Sequence, residues 1–313
     1  MSSIVDVPQG FRPHTCFEYP RHNPITFEEY FYNYFLEHQP ETKRTYLPVL
    51  WSILYYMRHY RRDGTRDLQT FLNGLDPKEK YFTICVYDGG IHENTSFLDL
   101  KLFSAVGDTF LMDLRTYQGN LGDRAIPLIC APAPNIDRNR KRDILAGFVG
   151  APTHPIRNII WQILAGEGDI VVKQNIVNPV TGFQTMDSDK WAQVNYDGFK
   201  DLMERSVFAL CPRGSSTTSF RICESLHYGC VPVYISDKFW FPWSDPKNPN
   251  DRGVYEQIGI YCLPEEIPDL PRRLRAISQH QIDQYLANGQ AMYESYFSLR
   301  GCAARIIEEV NGE

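Results

Sequence analysis

From Ile144 to Ile235 short apolar runs alternate with segments of helical periodicity, and this alternation limits the fold more than any other feature of the chain. Ile144–Val149, Asp169–Val172, Val207–Cys211 and Cys230–Ile235 read as strands, and Pro155–Leu164, Tyr196–Glu204 and Ser219–Tyr228 as helices. Strands apolar on both faces and separated by helices bury themselves in a parallel sheet covered on both sides. The chain is therefore expected to be α/β. Its 313 residues suit two domains of ~150 each. With 43% hydrophobic and 22% charged residues it can build a sizeable core, which excludes disordered and collagen-like classes. No internal repeat is visible, so a solenoid or propeller is not expected.

Upstream, Phe27, Tyr30, Phe31, Tyr34 and Phe35 recur at helical spacing, and Pro48 opens a second run through Leu50, Ile53, Leu54 and Met57. Tyr81–Tyr87 is almost wholly apolar and ends at Asp88-Gly89-Gly90, the pattern of a doubly covered strand feeding a loop at its carboxyl end. Ile126–Asp143 gathers Pro127, Pro132 and Pro134 with Arg138, Arg140, Lys141 and Arg142, a composition that suits an inter-domain connection. The expected division is residues 1–142, residues 143–295, and a final helix over 296–313 packing back on the first domain. Gln281–Val310 reads as two helices with no sheet signal.

The formal net charge of −6 argues against a general nucleic-acid binder, which needs a basic surplus. The eight cysteines, Cys16, Cys85, Cys130, Cys211, Cys223, Cys230, Cys262 and Cys302, contain no C-x-x-C pair and sit mostly in apolar runs, as buried thiols in a reducing compartment do. Met1–His14 lacks a basic stretch followed by an apolar one, and no run approaches the ~18 apolar residues of a membrane span. A cytoplasmic chain without a membrane span is expected.

The chemistry concentrates between Ser206 and Ser236. Pro212-Arg213-Gly214-Ser215-Ser216-Thr217-Thr218-Ser219 sets a glycine, five hydroxyls and a guanidinium just before a helix N-terminus, where free N–H groups and the helix dipole favour an anion such as phosphate. It is not a Walker loop, because Phe220 and Arg221 stand where the lysine would be. Arg221, Glu224, Ser225 and Tyr228 share one helix face, open to a ligand, and Phe220, Cys223 and Leu226 share an apolar one. A cation in the first turn opposes the dipole unless an anion joins it, and the Glu224 carboxylate suits a ribose diol. The competing reading pairs Arg221 with Glu224 on a solvated face.

The segment CPRG…TSFR…E…L..GC.PV.IS resembles the nucleotide-sugar-binding signature of the exostosin-like glycosyltransferases, family 47. Gly147-Phe148-Val149-Gly150 followed by Arg157, and Tyr87-Asp88-Gly89-Gly90, resemble two upstream family segments. The first 75 or so residues match no recognised pattern. The anchorless architecture also resembles the short soluble exostosin-like enzymes of large algal viruses, a xylosyltransferase among them. The resemblance implies a GT-B fold, two Rossmann-like domains facing across a cleft, and transfer with inversion from a nucleoside-diphosphate sugar, UDP-linked, to a glycan acceptor. It implies that Arg213, Gly214, Ser219 and Arg221 hold the donor diphosphate, Glu224 the ribose, and Arg157 a second phosphate contact. No tightly bound cofactor and no metal are implied, since cationic side chains and helix dipoles offset the leaving diphosphate's charge.

Inversion by single displacement needs a base within ~3 Å of the acceptor hydroxyl. Asp88 is the first candidate, because open α/β sheets bind ligands at carboxyl edges, and His92 and Glu93 are its rivals. The alternative for Asp88 is an Asx turn shaping Asp-Gly-Gly. Asp187-Ser188-Asp189 has the D-x-D form of metal-dependent GT-A transferases but follows no apolar strand, and reads as a surface turn. No G-x-G-x-x-G occurs, so a dehydrogenase lacks its fingerprint, and the eight histidines show no paired metal spacing. Arg138–Arg142 reads as a solvated linker able to steer an anionic donor. Phe239, Trp240, Phe241 and Trp243 could stack on sugars or cap the core. A metal-dependent transferase and a non-catalytic sugar-nucleotide or glycan-binding module are the alternative functions.

Overall fold

The computed structural model describes residues 3–12, 26–60, 65–105, 122–129, 135–174, 189–238, 240–244, 248 and 251–312. The first half runs α1 (Phe27–His38), β1 (Thr45–Tyr46), α2 (Trp51–Tyr60), α3 (Thr65–Asn73), β2 (Lys80–Cys85), β3 (Asp99–Ser104) and β4 (Arg124–Ala125). Its strands form a parallel sheet in chain order, with Phe82 opposite Lys101 and Cys85 opposite Ser104. Both faces are covered, as the apolar strand β2 demands. Phe82, Ile84 and Phe103 pack with the Phe27, Phe31 and Phe35 stripe of α1, while Cys85 and Leu102 pack with Trp51, Leu54, Leu68 and Leu72 of α2 and α3. Helix α1 starts where it does because the Thr26 hydroxyl accepts the Glu29 N–H at 3.2 Å.

The second half runs β5 (Ile144–Gly150), α4 (Pro155–Leu164), β6 (Ile170–Gln174), α5 (Asp189–Arg205), β7 (Ser206–Pro212), α6 (Phe220–Tyr228), β8 (Val231–Ile235), β9 (Ile260–Cys262), α7 (Leu270–Arg275), α8 (Gln279–Met292) and α9 (Leu299–Asn311). Its five strands are all parallel, in the order β6-β5-β7-β8-β9. The order reverses between β5 and β7, and doubly wound sheets bind ligands in the crevice that such a reversal opens at the carboxyl ends. Gly147 permits the close packing here: a Cβ would lie 2.4 Å from Ser206 Oγ and 2.9 Å from Leu202 Cδ1. The predicted helices and strands of this half are all present, with α5 beginning earlier, at Asp189. In the first half β1, α3, β3 and β4, and in the second β9 and α7, appear beyond the predicted set.

The halves share one apolar core, in which Phe31, Phe82 and Phe103 belong to the same cluster as Met203, Cys211, Ile222, Trp243 and Phe297. After β8 the chain returns to the first sheet: the Trp240 indole donates to Ser104 O at 3.2 Å and the Trp243 N–H to Ala125 O at 2.8 Å. Trp240, Phe241 and Trp243 are all buried, so they belong to the core and not to a sugar platform; Phe239 lies outside the described residues. Helix α9 also reaches the first half, where Asn311 accepts the Lys43 N–H at 3.1 Å and Glu309 pairs with Arg124 at 2.9 Å.

The arginines of the basic run are tied to the second half, while Arg138 and Lys141 stay exposed as a solvated run would be. Arg142 donates to Tyr228 O at 2.7 Å and to Ser206 O, Arg140 pairs with Asp201 at 2.6 Å, and Arg138 donates to His227 O at 2.8 Å. Arg138 and Arg142 thus satisfy carbonyls at the ends of α5 and α6, which lack intrahelical partners, Arg142 also reaching Met203 O at 3.2 Å, while Arg140 pairs with carboxylates of α5. Cys85, Cys211, Cys223, Cys230, Cys262 and Cys302 are buried free thiols, whereas Cys16 and Cys130 lie outside the described residues. No helix among the described residues is long and apolar enough to cross a membrane.

Candidate active site

Three loops meet at the carboxyl edges of the two sheets: those that follow β5, β7 and β2. The first two are welded by Arg157, one turn into α4, whose start is fixed by the His154 cap and Pro155. Its guanidinium donates to Ala151 O at 3.0 Å, Pro212 O at 3.2 Å and Arg213 O at 2.9 Å, and it lies over the Phe148 ring at 5.6 Å. Gly214 lets the loop after β7 pass over that guanidinium, since a Cβ would sit 3.1 Å from Arg157 Nη2 and 3.3 Å from Thr153 Oγ1. The strand ends spread by the reversal of order are thus held by one side chain carrying a full positive charge.

Asp88 enters from the other sheet. Its carboxylate accepts hydrogen bonds from the Ser215 and Ser216 hydroxyls and feels the Arg157 charge. Burial pushes its carboxyl above the usual aspartate value against the pull of both serines and Arg157. A loop at the carboxyl end of β2 therefore touches one at the carboxyl end of β7, so the two parallel sheets face each other edge to edge, in the GT-B arrangement. The other two candidate bases are placed differently. Glu93 is buried and accepts the Tyr55 hydroxyl, whose oxygen in turn accepts the His92 N–H at 3.0 Å. Burial, then the Glu93 charge, push the Tyr55 hydroxyl well up and keep it a donor. His92 is exposed, its ring stacked on Tyr55 at 4.5 Å.

Helix α6 begins at the far side of the same loop. The Ser219 hydroxyl caps it by accepting the Arg221 N–H at 3.3 Å, and Gly229, at a φ of 69°, ends it. Arg221 and Glu224 do pair, Nε to Oε2 at 2.8 Å, yet neither is on a solvated face: their side chains are 14% and 22% exposed. The Arg221 guanidinium also donates to Val149 O at 3.0 Å and lies 4.3 Å from the centre of the Phe199 ring. Glu224 Oε1 has no hydrogen-bond partner among the described residues. The expected polar face is shorter than its spacing suggests. Ser225 and Tyr228 are fully buried, Ser225 bonding back to Ile222 O at 2.8 Å and Tyr228 packing edge-on to Phe199, so of that face only Arg221 and Glu224 are left partly open.

Arg213 points inward. It is 1% exposed and pairs with Asp237 at 2.6 Å. Burial pushes the Asp237 carboxyl up, but the Arg213 hydrogen bond and charge outweigh it and hold the net value below the usual range. Asp237 was not among the candidates, although β7 and β8 are neighbours with Pro212 opposite Ile235, which sets Arg213 and Asp237 side by side just past their ends. Ser215 and Ser216 as partners of Asp88, and Phe199 under Arg221, were also missed; their contacts cross between elements and leave no local pattern. Asp187 and Ser188 of the D-x-D stretch lie outside the described residues. Among the described residues no three His, Cys, Asp or Glu side chains are grouped to hold a metal ion.

The model of the exostosin GT47 domain family matches residues 111–277, more than half of the chain. The chain belongs to the exostosin GT47 family. This exostosin-family chain is similar to a probable glycosyltransferase of Arabidopsis thaliana, 29% identical over 155 residues, which are 49% of this chain and 24% of that protein. It is likewise similar to exostosin-1 of Bos taurus, 34% identical over 112 residues, or 36% and 14% of the two chains. It spans no more than 33% of the length of the two Arabidopsis relatives it matches. Among solved structures, a glycosyltransferase from Rickettsia africae is 9% identical with a TM-score of 0.43, over 91% of this chain and 80% of that one. That score is too low to bear on donor or mechanism.

Proposed function

We propose that the chain is an inverting glycosyltransferase that moves a sugar from a nucleoside-diphosphate sugar, UDP-linked, to a glycan acceptor, with Asp88 as the base. The observation that carries this reading is the position of Asp88: a carboxyl made more basic by burial, brought from the first sheet against Ser215 and Ser216 of the hydroxyl loop and within the field of Arg157. In the reaction Asp88 takes the proton of the acceptor hydroxyl, the oxygen attacks the anomeric carbon from that side, and the diphosphate leaves from the other with the bonding electron pair. The leaving charge is met by the N-terminus of α6 and by Arg221, with Arg157 adding to the field behind Gly214. Arg213 acts from beneath, through the loop it anchors to Asp237. Glu224 Oε1, left available by the Arg221 pair, accepts from the ribose diol.

Xylose is the first sugar to test, on the likeness to the algal-virus enzymes. The six cysteines among the described residues, all buried free thiols, support a reducing compartment, the cytoplasm. The test is calorimetric titration with UDP and GDP, each with and without EDTA, followed by a screen of UDP-sugars for turnover. UDP binding that survives EDTA, with turnover lost in Asp88→Asn, is the expected result. Binding that needs a divalent ion would move the reading to a metal-dependent transferase, and binding without turnover of any donor to a sugar-nucleotide-binding module.

A further inference from the structure

One buried carboxyl plays no part in the scheme above. Glu28, in the first turn of α1, is 1% exposed. Its Oε1 accepts the Ser52 hydroxyl at 2.7 Å and the Val86 N–H at 2.8 Å, while its Oε2 accepts the Ser52 N–H at 2.9 Å. Ser52 is the second residue of α2, where backbone N–H groups lack an intrahelical partner. Val86 is the first residue past the β2 ladder, whose last pair is Cys85 with Ser104. One carboxylate therefore ties α1 to the start of α2 and to the exit of β2, and Asp88 follows two residues later. Burying a carboxyl is unfavourable even when it is hydrogen-bonded, and here burial pushes it to about 7 against the pull of all three donors. What that cost secures is the direction in which the chain leaves β2.

We propose that Glu28 is a positioning residue, fixing the Val86–Gly90 loop so that Asp88 is presented to the acceptor hydroxyl. The proposal rests on Asp88 being the base. Glutamine at this site keeps the shape but not the function. With its carbonyl at the Oε1 position the amide nitrogen faces the Ser52 N–H, and with the groups reversed it faces the Val86 N–H. One backbone donor is left facing another donor either way.

The experiment compares Glu28→Gln with the wild type in the full chain, with turnover divided by the number of UDP-binding sites from calorimetry, so that misfolded protein is not counted. The expected result is a fall in kcat per site of between about ten- and about a hundred-fold, the range a small misplacement of a reacting group produces, with UDP affinity unchanged. Exchange of the 86–90 backbone amides, followed by mass spectrometry, should quicken in the same variant. A kcat per site within about two-fold of the wild type, with amide exchange unaltered, overturns the proposal. If Glu28→Gln does not fold, Ser52→Ala removes the hydroxyl bond alone; an unchanged kcat per site and unchanged exchange there would overturn it equally. A wild type that turns over no UDP-sugar would instead count against the transferase reading on which the role of Asp88 rests, and the exchange comparison would still decide whether Glu28 holds the loop.

Discussion

Replacing Glu224 by alanine separates the two things its carboxylate does in this structure. Oε2 is held by Arg221 at 2.8 Å, and Oε1 has no hydrogen-bond partner among the described residues. For folding, the loss is modest: Arg221 keeps Val149 O at 3.0 Å and the Phe199 ring at 4.3 Å, so an i,i+3 pair only partly shielded from water accounts for about 1 kcal/mol or less. For UDP two effects oppose each other. A ribose diol that loses a charged acceptor in a half-buried site costs about 1–3 kcal/mol of binding, roughly 5- to 150-fold in Kd. Removing a negative charge near the diphosphate works the other way.

A cycle isolates the first effect: UDP and 2′-deoxy-UDP are titrated into wild type and Glu224→Ala. The wild type should prefer UDP by about ten-fold and the variant should show little preference, because only the hydroxyl contact differs between the two ligands. Equal preference in both proteins would refute the ribose role, whatever the absolute affinities do.

Asp88→Asn should lower turnover by about 10²–10⁴-fold while leaving UDP binding intact, and the acidic limb of the wild-type kcat/KM profile should lie above the ordinary aspartate value of 3.8 because burial raises this carboxyl. Glu28 should make stability fall with rising pH. The folded chain holds its proton to about 7 against 4.5 for the free group, so a contribution of about 3 kcal/mol is complete below pH 4.5 and is lost as pH rises through about 7. Urea unfolding across that window should show this slope in the wild type and not in Glu28→Gln; parallel curves would refute the burial. Gly147→Ala should destabilise by about 1–3 kcal/mol, because its Cβ would lie 2.4 Å from Ser206 Oγ, and an unchanged unfolding midpoint would show that β5 and α5 can separate freely.

The second sheet was legible because its strands are apolar on both faces and five to seven residues long for β5, β6, β7 and β8, enough to show a run bounded by turns. β1 and β4, two residues each, hold their places only through neighbours, and two residues carry no period. At the site, the hydroxyl loop and the start of α6 were readable, since capping and phosphate-binding chemistry are local. The direction of each side chain was not. Arg213 turns inward because Asp237 waits at the end of the next strand, and the Ser225–Tyr228 end of the polar face is buried because α6 packs against Phe199 of α5. Glu28 escaped notice for the same reason: an acidic residue in a first helical turn is ordinary, and only the fold brings Ser52 and Val86 to it.

The return of the chain to the first sheet after β8, through Trp240 and Trp243, and again through α9, bears on how this molecule can be dissected. A cut near residue 142 would not yield two independent cassettes. The later piece would carry Phe241, Trp243 and Phe297 with part of their cover gone, and the earlier piece would lose the α9 side of the cluster that encloses Phe31. Heat and urea should therefore melt the whole protein in one step, and the two fragments, made separately, should recover a fold only when mixed.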